Sequence, residues 1–406
     1  MIYKKDYLKL LFFTFTIFII STLIIACQSP KINPEKTATN SACVEQYEAT
    51  RDYFPDKVSV TRAKGFNVEY YNHYKVVTIN NPWKGSKTGF KYILVQCGTP
   101  APKISDASLN TYYITVPVNS VISLSTTHLP HLAKLGVVDK LVAVSDTKNV
   151  NTSEVVERIK SGKVANVGSN GSVNVERILE LNPELITTYG TGNGDDSYPK
   201  LLEAGLKVAM NAEYMEDSPL GRSEWLKFTA LFFNKEKKAE QIFGEVAKKY
   251  DEIAARAKAV KTRPTVFLGF NFKGTWYMPG GNSYAAKYLE DAGANYLWSN
   301  QKFSGSLPLS FETIIERAIN ANYWLNLSQK WKSKQEILAE DSRYSDFKAV
   351  KAGNLYNNNA RVNESGGNDY WEGGISNPDI VLSDLIKIFH PEILPQHKLI
   401  FYRRVS

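Results

Sequence analysis

The sequence is short of the side chains that most often hold metals. Its 406 residues include three cysteines and five histidines, and His128 and His131 form a His-x-x-His pair with ligand-like spacing. No third histidine or nearby acidic cluster completes a site around this pair. We therefore expect no metal bound directly by protein side chains, and no cofactor.

Common catalytic and nucleic-acid-binding patterns are also missing. The sequence contains neither Gly-x-Ser-x-Gly nor His-Glu-x-x-His. The commonest sequence evidence for an exported hydrolase is therefore missing. Gly190, Gly192 and Gly194 follow a predicted strand as in a dinucleotide loop, but the third glycine is misplaced, which indicates a turn beside a cleft. The basic residues are scattered and form no stripe, so no nucleic-acid partner is expected.

One long apolar run is present, near the start of the chain. Leu10–Ala26 follows three lysines and precedes Cys27, which is the order of a secretory signal ending in a lipobox, where the cysteine receives a lipid. An uncleaved membrane anchor is the alternative, because the run approaches the ~20 residues that span a bilayer. The small residue before Cys27 favours a lipoprotein signal peptide over residues 1–26. The protein should then act outside the cytoplasm, anchored to a bacterial membrane on its periplasmic side or at the cell surface.

Lipid attachment at Cys27 leaves two cysteines, Cys43 and Cys97. In an oxidising compartment these two are a candidate disulfide, and two buried free thiols are the alternative. Residues 28–42 are polar, contain two prolines and show no apolar period. Residues 27–42 therefore predict a flexible tether between the lipid and the folded part.

The rest of the chain predicts an α/β protein with two lobes. Residues 43–116 contain β-like apolar runs and predict a small β-rich extension. In 117–234, and again in 262–406, short apolar strands alternate with helix-length segments. This alternation predicts two lobes, each with a mainly parallel central sheet flanked by helices. Apolar residues at three- and four-residue spacing over 235–261 predict one long helix joining the lobes.

A short motif occurs once in each predicted lobe. Asn174 and Ser310 are suitable N-cap residues, and Glu176 and Glu312 fall in the helical turn that follows each of them. The helix dipole alone favours an acid at such a position, which is one interpretation. The repetition at matching places in two lobes indicates instead a pair of exposed acids at the two ends of one face.

With these features in order, residues 117–394 resemble the class III, helical-backbone substrate-binding proteins of ABC importers for ferric siderophores, haem and cobalamin. Besides the long helix, the resemblance rests on Ser123–Thr126, Leu135–Val137, Leu141–Val144, Asn174–Ile186, Phe267–Phe270 and Leu307–Glu312. In that family one acid per lobe docks on arginines of the permease, and the resemblance implies this role for Glu176 and Glu312. The extension 43–116 is not part of the usual family pattern, and its role stays open.

Ligands of α/β lobes bind beyond the carboxyl ends of the strands. The segments that follow the predicted strands therefore supply the candidate ligand-binding residues, which are Thr126, Thr127, Tyr189, Tyr214, Arg222, Trp276, Tyr277, Arg361 and Trp371. Aromatic faces and arginines suit a large, partly apolar, anionic metal chelate. Ordinary packing is the alternative for each aromatic residue.

The sequence thus predicts a lipid-anchored, monomeric binding protein and not an enzyme. Its expected ligand is an iron chelate resembling a siderophore, and its expected partners are the permease of an ABC importer and the ATPase of that importer. A haem- or cobalamin-binding receptor of the same fold is the alternative. An envelope scaffold, suggested only by the extension, and an exported hydrolase are alternatives from other classes.

Overall fold

The structure is a computed structural model, and it describes residues 43–104, 110–168 and 171–406. The predicted signal peptide 1–26, the tether 27–42 and the lipid-attachment residue Cys27 lie outside the described residues. None of the helices in the described ranges combines the length and apolar character that a membrane span requires.

The structure alternates short strands and helices along most of its length. The strands are β1 Phe66–Tyr70, β2 Tyr74–Ile79, β3 Phe90–Gln96, β4 Asn110–Val116, β5 Val121–Ser123, β6 Leu141–Val144, β7 Ala165–Asn166, β8 Leu185–Thr188, β9 Val208–Met210, β10 Thr265–Leu268, β11 Asn271–Phe272, β12 Thr275–Pro279, β13 Asn295–Tyr296, β14 Ser306–Leu309, β15 Tyr323–Leu325, β16 Leu355–Asn357 and β17 Arg403–Arg404. The α-helices are α1 Leu129–Leu135, α2 Ser153–Lys160, α3 Val175–Leu181, α4 Tyr198–Glu203, α5 Pro219–Leu231, α6 Glu236–Lys258, α7 Tyr284–Asp291, α8 Phe311–Ala318, α9 Lys334–Glu340, α10 Lys348–Ala352 and α11 Pro378–Phe389.

Each lobe is built on a parallel sheet. The N-terminal sheet has the order β7-β6-β5-β8-β9, and all its pairings are parallel. The C-terminal sheet has the order β13-β10-β15-β16-β17, and only β17 runs antiparallel. A small antiparallel sheet, β11-β12-β14, is added to the C-terminal lobe. The predicted α/β class with parallel sheets and flanking helices is confirmed.

The two lobes have separate hydrophobic cores. The long helix α6 packs on α5 of the first lobe and on α11 of the second. Its buried residues Ala239, Phe243, Tyr250 and Ala257 recur at four- and seven-residue spacing, so one face of the helix is covered along its length. The helix spans Glu236–Lys258, slightly less than the 235–261 expected from the sequence.

The β-rich extension is part of the N-terminal lobe. Its sheet, β1-β2-β3-β4, contributes Phe66 and Tyr92 to the core of that lobe. The Phe66 ring lies 4.8 Å from the Trp225 ring of α5, centroid to centroid. A disulfide joins Cys43 to Cys97 within the extension. The sequence left the role of this segment open, and the structure gives it a shared core with the first lobe.

Two buried carboxylates, Glu224 on helix α5 and Glu216 shortly before it, attach the extension to this part of the lobe. Glu224 accepts hydrogen bonds from the backbone N–H groups of three consecutive residues, Thr61, Arg62 and Ala63. Glu216 does the same for Lys64 and Gly65. Residues 61–65 have no regular secondary structure, and their backbone N–H groups donate to these side chains instead of to other backbone groups. These hydrogen bonds keep the segment before β1 in a fixed position.

Candidate ligand-binding cleft

The carboxyl ends of the two parallel sheets border a hollow between the lobes. Its cavity volume is about 370 Å³. The N-terminal lobe contributes residues that follow β5, β6 and β8, and the C-terminal lobe contributes residues that follow β15 and β16. This strand-end hollow is lined by Leu124, Ser125, Thr126, Ser145, Asp146, Asn149, Tyr189, Gln329, Gly366, Gly367, Asn368 and Trp371.

Three of the predicted ligand-binding residues meet at this hollow. Thr126 follows β5, Tyr189 follows β8, and Trp371 belongs to a short 3-10 helix, Asp369–Trp371, in the other lobe. Trp371 is 42% exposed, so part of its large apolar ring is open to solvent. The hollow therefore offers an aromatic surface to a bound molecule.

Two other predicted residues support the hollow from behind. The Thr127 and Ser125 hydroxyl oxygens lie 2.9 Å apart, within hydrogen-bond distance. The Tyr214 hydroxyl donates to the Gly190 carbonyl, and its ring lies 6.2 Å from the Tyr189 ring in an edge-on arrangement. Neither Thr127 nor Tyr214 lines the hollow, so their observed contacts position its wall.

The structure places Arg222, a predicted ligand-binding residue, at a contact between the lobes. Its guanidinium is buried, pairs with Glu213 at 2.6 Å, and lies 4.3 Å from the Tyr284 ring centroid in the other lobe. Burial acts to lower the pKa of Arg222, but the Glu213 carboxylate together with Tyr284 and Tyr288 outweighs burial and raises that pKa. The charge of Arg222 is thus compensated by a buried carboxylate within the protein.

Arg361 is likewise paired, although it is more exposed. Its Nε lies 2.7 Å from the Asp369 carboxylate, which is itself mostly buried. Arg361 is not among the residues that line the strand-end hollow. Both arginines that were predicted to bind an anionic ligand thus form ion pairs with acidic side chains of the protein.

Trp276 is also wrongly predicted as a ligand-binding residue. It is fully buried in the C-terminal core, where its ring lies 5.6 Å from the Trp324 ring and its Nε1–H donates to the Leu268 carbonyl. Adjacent residues of a strand point to opposite faces, so Tyr277 on β12 is 51% exposed. Tyr277 does not line the strand-end hollow.

The histidine pair His128 and His131 is buried and uncharged. The pKa values of His128 and His131 are lowered to about 3 by burial, so both rings stay neutral at ordinary pH. The Nδ1 atoms of the two rings lie within hydrogen-bond distance of the Thr187 and Thr229 hydroxyls, respectively. Within the described ranges, no group of three or more histidine, cysteine or acidic side chains could hold a metal ion.

A buried glutamate connects the lobes at the edge of the hollow. Glu372, directly after Trp371, accepts hydrogen bonds from the backbone N–H groups of Asn151 and Thr152 at 2.8 and 2.7 Å. Burial raises the pKa of Glu372, and the hydrogen bonds from Thr152 and Asn151 oppose that shift. Near α1, the Lys134 ammonium donates to the Ser376 carbonyl of the second lobe at 2.6 Å. The lobes are therefore in direct polar contact in this conformation.

Several polar residues of the hollow are not among the predicted ligand-binding residues. Asp146 follows strand β6, and Gln329 and Asn368 come from the second lobe. The rule that ligands bind beyond strand ends could have identified Asp146, because it lies two residues after the short apolar run Leu141–Val144 that forms β6. Asn368 had no comparable signal, since it lies eleven residues after β16 ends at Asn357.

A second hollow, of about 580 Å³, extends along helix α7 between the lobes. This helix-side hollow has Lys64, Asp217 and Ser218 on the N-terminal side, and Asn282 and Ser283 among its residues from the second lobe. Lys64 is paired with Asp217 at 2.7 Å. The extension thus contributes a residue to the groove between the lobes.

Glu176 and Glu312 lie where the repeated motif predicts them. The N-cap side chains of Asn174 and Ser310 accept from the backbone N–H groups three residues later, as expected. Glu176 is exposed, and the Glu312 side chain is 78% exposed. Helices α3 and α8 lead into the amino ends of β8 and β15, so each helix begins near the carboxyl edge of its sheet, the edge that borders the strand-end hollow.

Comparison with known proteins identifies the family. The family model described as periplasmic binding protein matches residues 121–361, more than half of the chain. A possible iron-binding periplasmic protein of Staphylococcus epidermidis has the same fold, with a TM-score of 0.52 and 19% identity over 67% of this chain and 98% of the other. A periplasmic haem-binding protein of Vibrio cholerae gives a TM-score of 0.51 and 17% identity over 65% and 97% of the two chains. The protein therefore belongs to the periplasmic binding protein family, in its class III form, and its family is one of solute-binding proteins and not of enzymes.

Two sequence relatives extend the comparison. An uncharacterised lipoprotein of Methanocaldococcus jannaschii is 29% identical and covers 91% of this chain and 94% of its own length, so its match includes the β-rich extension. A vitamin B12-binding protein of Yersinia pestis is 39% identical over 114 residues, which are 27% of this chain and 37% of that protein.

Proposed function

We propose that this protein is a lipid-anchored, extracytoplasmic receptor that holds a metal chelate between its lobes and delivers it to the permease of an ABC importer. The strand-end hollow carries this proposal, because it unites an exposed tryptophan, a tyrosine and several amide and hydroxyl groups from both lobes. Such a mixture suits a bulky ligand that is partly apolar and rich in oxygen atoms. A siderophore-like iron chelate is the first candidate.

A corrinoid is the second candidate. The described residues that line the strand-end hollow include Asp146 but no lysine or arginine, and amides are supplied by Asn149, Gln329 and Asn368. Amides favour a ligand that carries its own amide groups and no strong negative charge. The local similarity to a vitamin B12-binding protein points in the same direction.

Titration of intrinsic fluorescence tests the proposal. We expect saturable quenching by one of four probes: a triply negative tris-catecholate ferric complex, an uncharged tris-hydroxamate ferric complex, haemin or cyanocobalamin. The signal should come from Trp371, so Trp371→Leu should remove much of the quenching, whereas Trp298→Phe, in the core of the second lobe and away from the hollow, should retain most of it. Absence of saturable binding by all four probes would contradict the proposed function.

The lipid anchor rests on Cys27 and is tested separately. Cys27→Ser removes the thiol that would receive the lipid, so labelling with a radioactive fatty acid should be lost and processing should stop. Two or more acyl chains are needed for stable attachment, since a single chain binds membranes only marginally. Mature, membrane-bound protein in the Cys27→Ser strain would contradict lipid anchoring. The Cys43→Ser variant serves as the control that retains labelling.

A further inference from the structure

The loop between β2 and β3 lies against the wall of the strand-end hollow. This loop, residues 80–89, is called the Trp83 loop. The Trp83 ring packs on Gly190 and Gly192, where a Cβ atom would lie only 2.8 and 2.5 Å from ring atoms. Gly190 directly follows Tyr189, which lines the hollow. The two glycines therefore make room for the extension at the edge of the cleft.

The next residue of the loop, Lys84, contacts the second lobe. Lys84 is exposed, and its ammonium lies 4.2 Å from the ring centroid of Phe303, which belongs to the segment between β13 and β14. The Phe303 carbonyl accepts from the backbone N–H of Asn282 at 3.1 Å, and Asn282 lines the helix-side hollow. Lys84 thus connects a loop beside one hollow to a loop beside the other.

Lys84 has a ring contact but no ion pair among the described residues. No carboxylate in the described ranges pairs with its ammonium, whereas Arg222 and Arg361 pair with Glu213 and Asp369. A contact between an exposed ammonium and a phenylalanine ring is weak, and it breaks at low cost when the lobes separate. Lys84 is then a cation between the two lobes that is not neutralised by any acid of the described residues.

We propose that Lys84 is a ligand-binding residue and that the β-rich extension serves to carry it to the cleft. Trp83 fixes the loop on the N-terminal lobe, and the Lys84 ammonium binds an anionic oxygen group of the metal chelate. The Phe303 ring holds the same ammonium when no ligand is bound. This inference rests on the proposed function. It assigns to Lys84 the positive charge for an anionic ligand, because Arg222 and Arg361 are already paired with acids.

Affinities of the Lys84→Gln variant for charged and uncharged probes test the inference. The variant should bind the tris-catecholate complex and haemin about 3- to 10-fold more weakly than the unmodified protein, as for loss of one partly exposed charge-assisted hydrogen bond. Binding of the uncharged tris-hydroxamate complex and of cyanocobalamin should stay within about a factor of two. Lys87→Gln removes the same charge from the same loop and is the matched control, for which no selective loss is expected.

The Phe303→Leu variant tests whether Lys84 binds the ligand or only holds the two lobes together through its contact with Phe303. It removes the ring and keeps the cation, so affinity for the anionic probes should be retained. An equal loss in Lys84→Gln and Phe303→Leu, or a loss that is the same for charged and uncharged probes, would overturn the inference.

The inference and the proposed function can fail separately. If the unmodified protein binds an anionic probe and Lys84→Gln binds it equally well, only the role of Lys84 is wrong. If the unmodified protein binds the uncharged probes alone, the anionic ligand class is wrong while the receptor function stands. If it binds none of the four probes, both proposals are wrong.

Discussion

Replacing Glu176 or Glu312 by lysine should reduce ligand uptake at least about tenfold while ligand binding by the purified protein stays within about a factor of two. A lysine placed against an arginine of the permease creates a like-charge contact, which costs enough binding free energy for such a loss. Both acids are exposed, so the fold should tolerate the change. Radiolabelled-ligand uptake by cells and titration of the purified variants are the two measurements.

The chain offers matched controls for both acids. Glu180 lies one turn after Glu176 on α3, and Glu316 lies one turn after Glu312 on α8, and both are exposed. Glu180→Lys and Glu316→Lys change the net charge equally but lie further from the helix starts, so uptake should be largely retained. Loss of ligand binding in Glu176→Lys or Glu312→Lys would assign these acids to the ligand site or to the fold. Normal uptake in both would argue against permease docking through them.

Lys75→Met should lower the free energy of unfolding by about 3–5 kcal/mol, because it leaves a buried carboxylate without its partner. Lys75 and Glu236 are almost inaccessible to solvent, and their charged groups lie 2.6 Å apart. Burial lowers the pKa of Lys75, and the Glu236 carboxylate opposes that shift. The ammonium also donates to the Leu231 carbonyl at 2.6 Å and to the Asn234 side chain at 2.8 Å. One lysine of β2 thus holds the extension to the junction between α5 and α6.

Chemical denaturation of single and double variants measures this effect. Lys75→Met combined with Glu236→Gln removes both charges and should recover part of the lost stability. The exposed pair Lys57–Asp52 has the same separation of 2.6 Å, and Lys57→Met should cost less than about 1 kcal/mol. A small effect of Lys75→Met, comparable with that of Lys57→Met, would show that the buried pair does not stabilise the protein.

The β-rich extension contributes residues at both hollows between the lobes. A two-lobe binding protein needs only the loops at its strand ends to surround a ligand, yet here Lys64 lines one hollow and Trp83 packs on the wall of the other. Both residues belong to the segment that the family pattern lacks. The buried contacts of Lys75, Glu216 and Glu224 hold that segment in place, so any role of the extension in binding depends on them.

The sequence by itself determined the local structure and the class of fold. The alternation of apolar runs with helix-length segments gave two parallel sheets, since such runs need helices on both faces to be buried. Asn174 and Ser310 cap their helices as expected, because N-cap bonds involve residues only three positions apart. The cysteine count also made Cys43 and Cys97 the candidate pair, and the structure joins them in a disulfide.

Only the tertiary structure decided which side chains face the cleft. Trp276 and Tyr277 are adjacent aromatic residues, and the face that each occupies depends on how β12 is placed on the core. Arg222 is neutralised by Glu213, and the Trp83 loop reaches Gly190, more than a hundred positions along the chain. Burial, ion pairing and the position of the extension depend on contacts between segments distant in sequence, and propensity and spacing carry no information about those contacts.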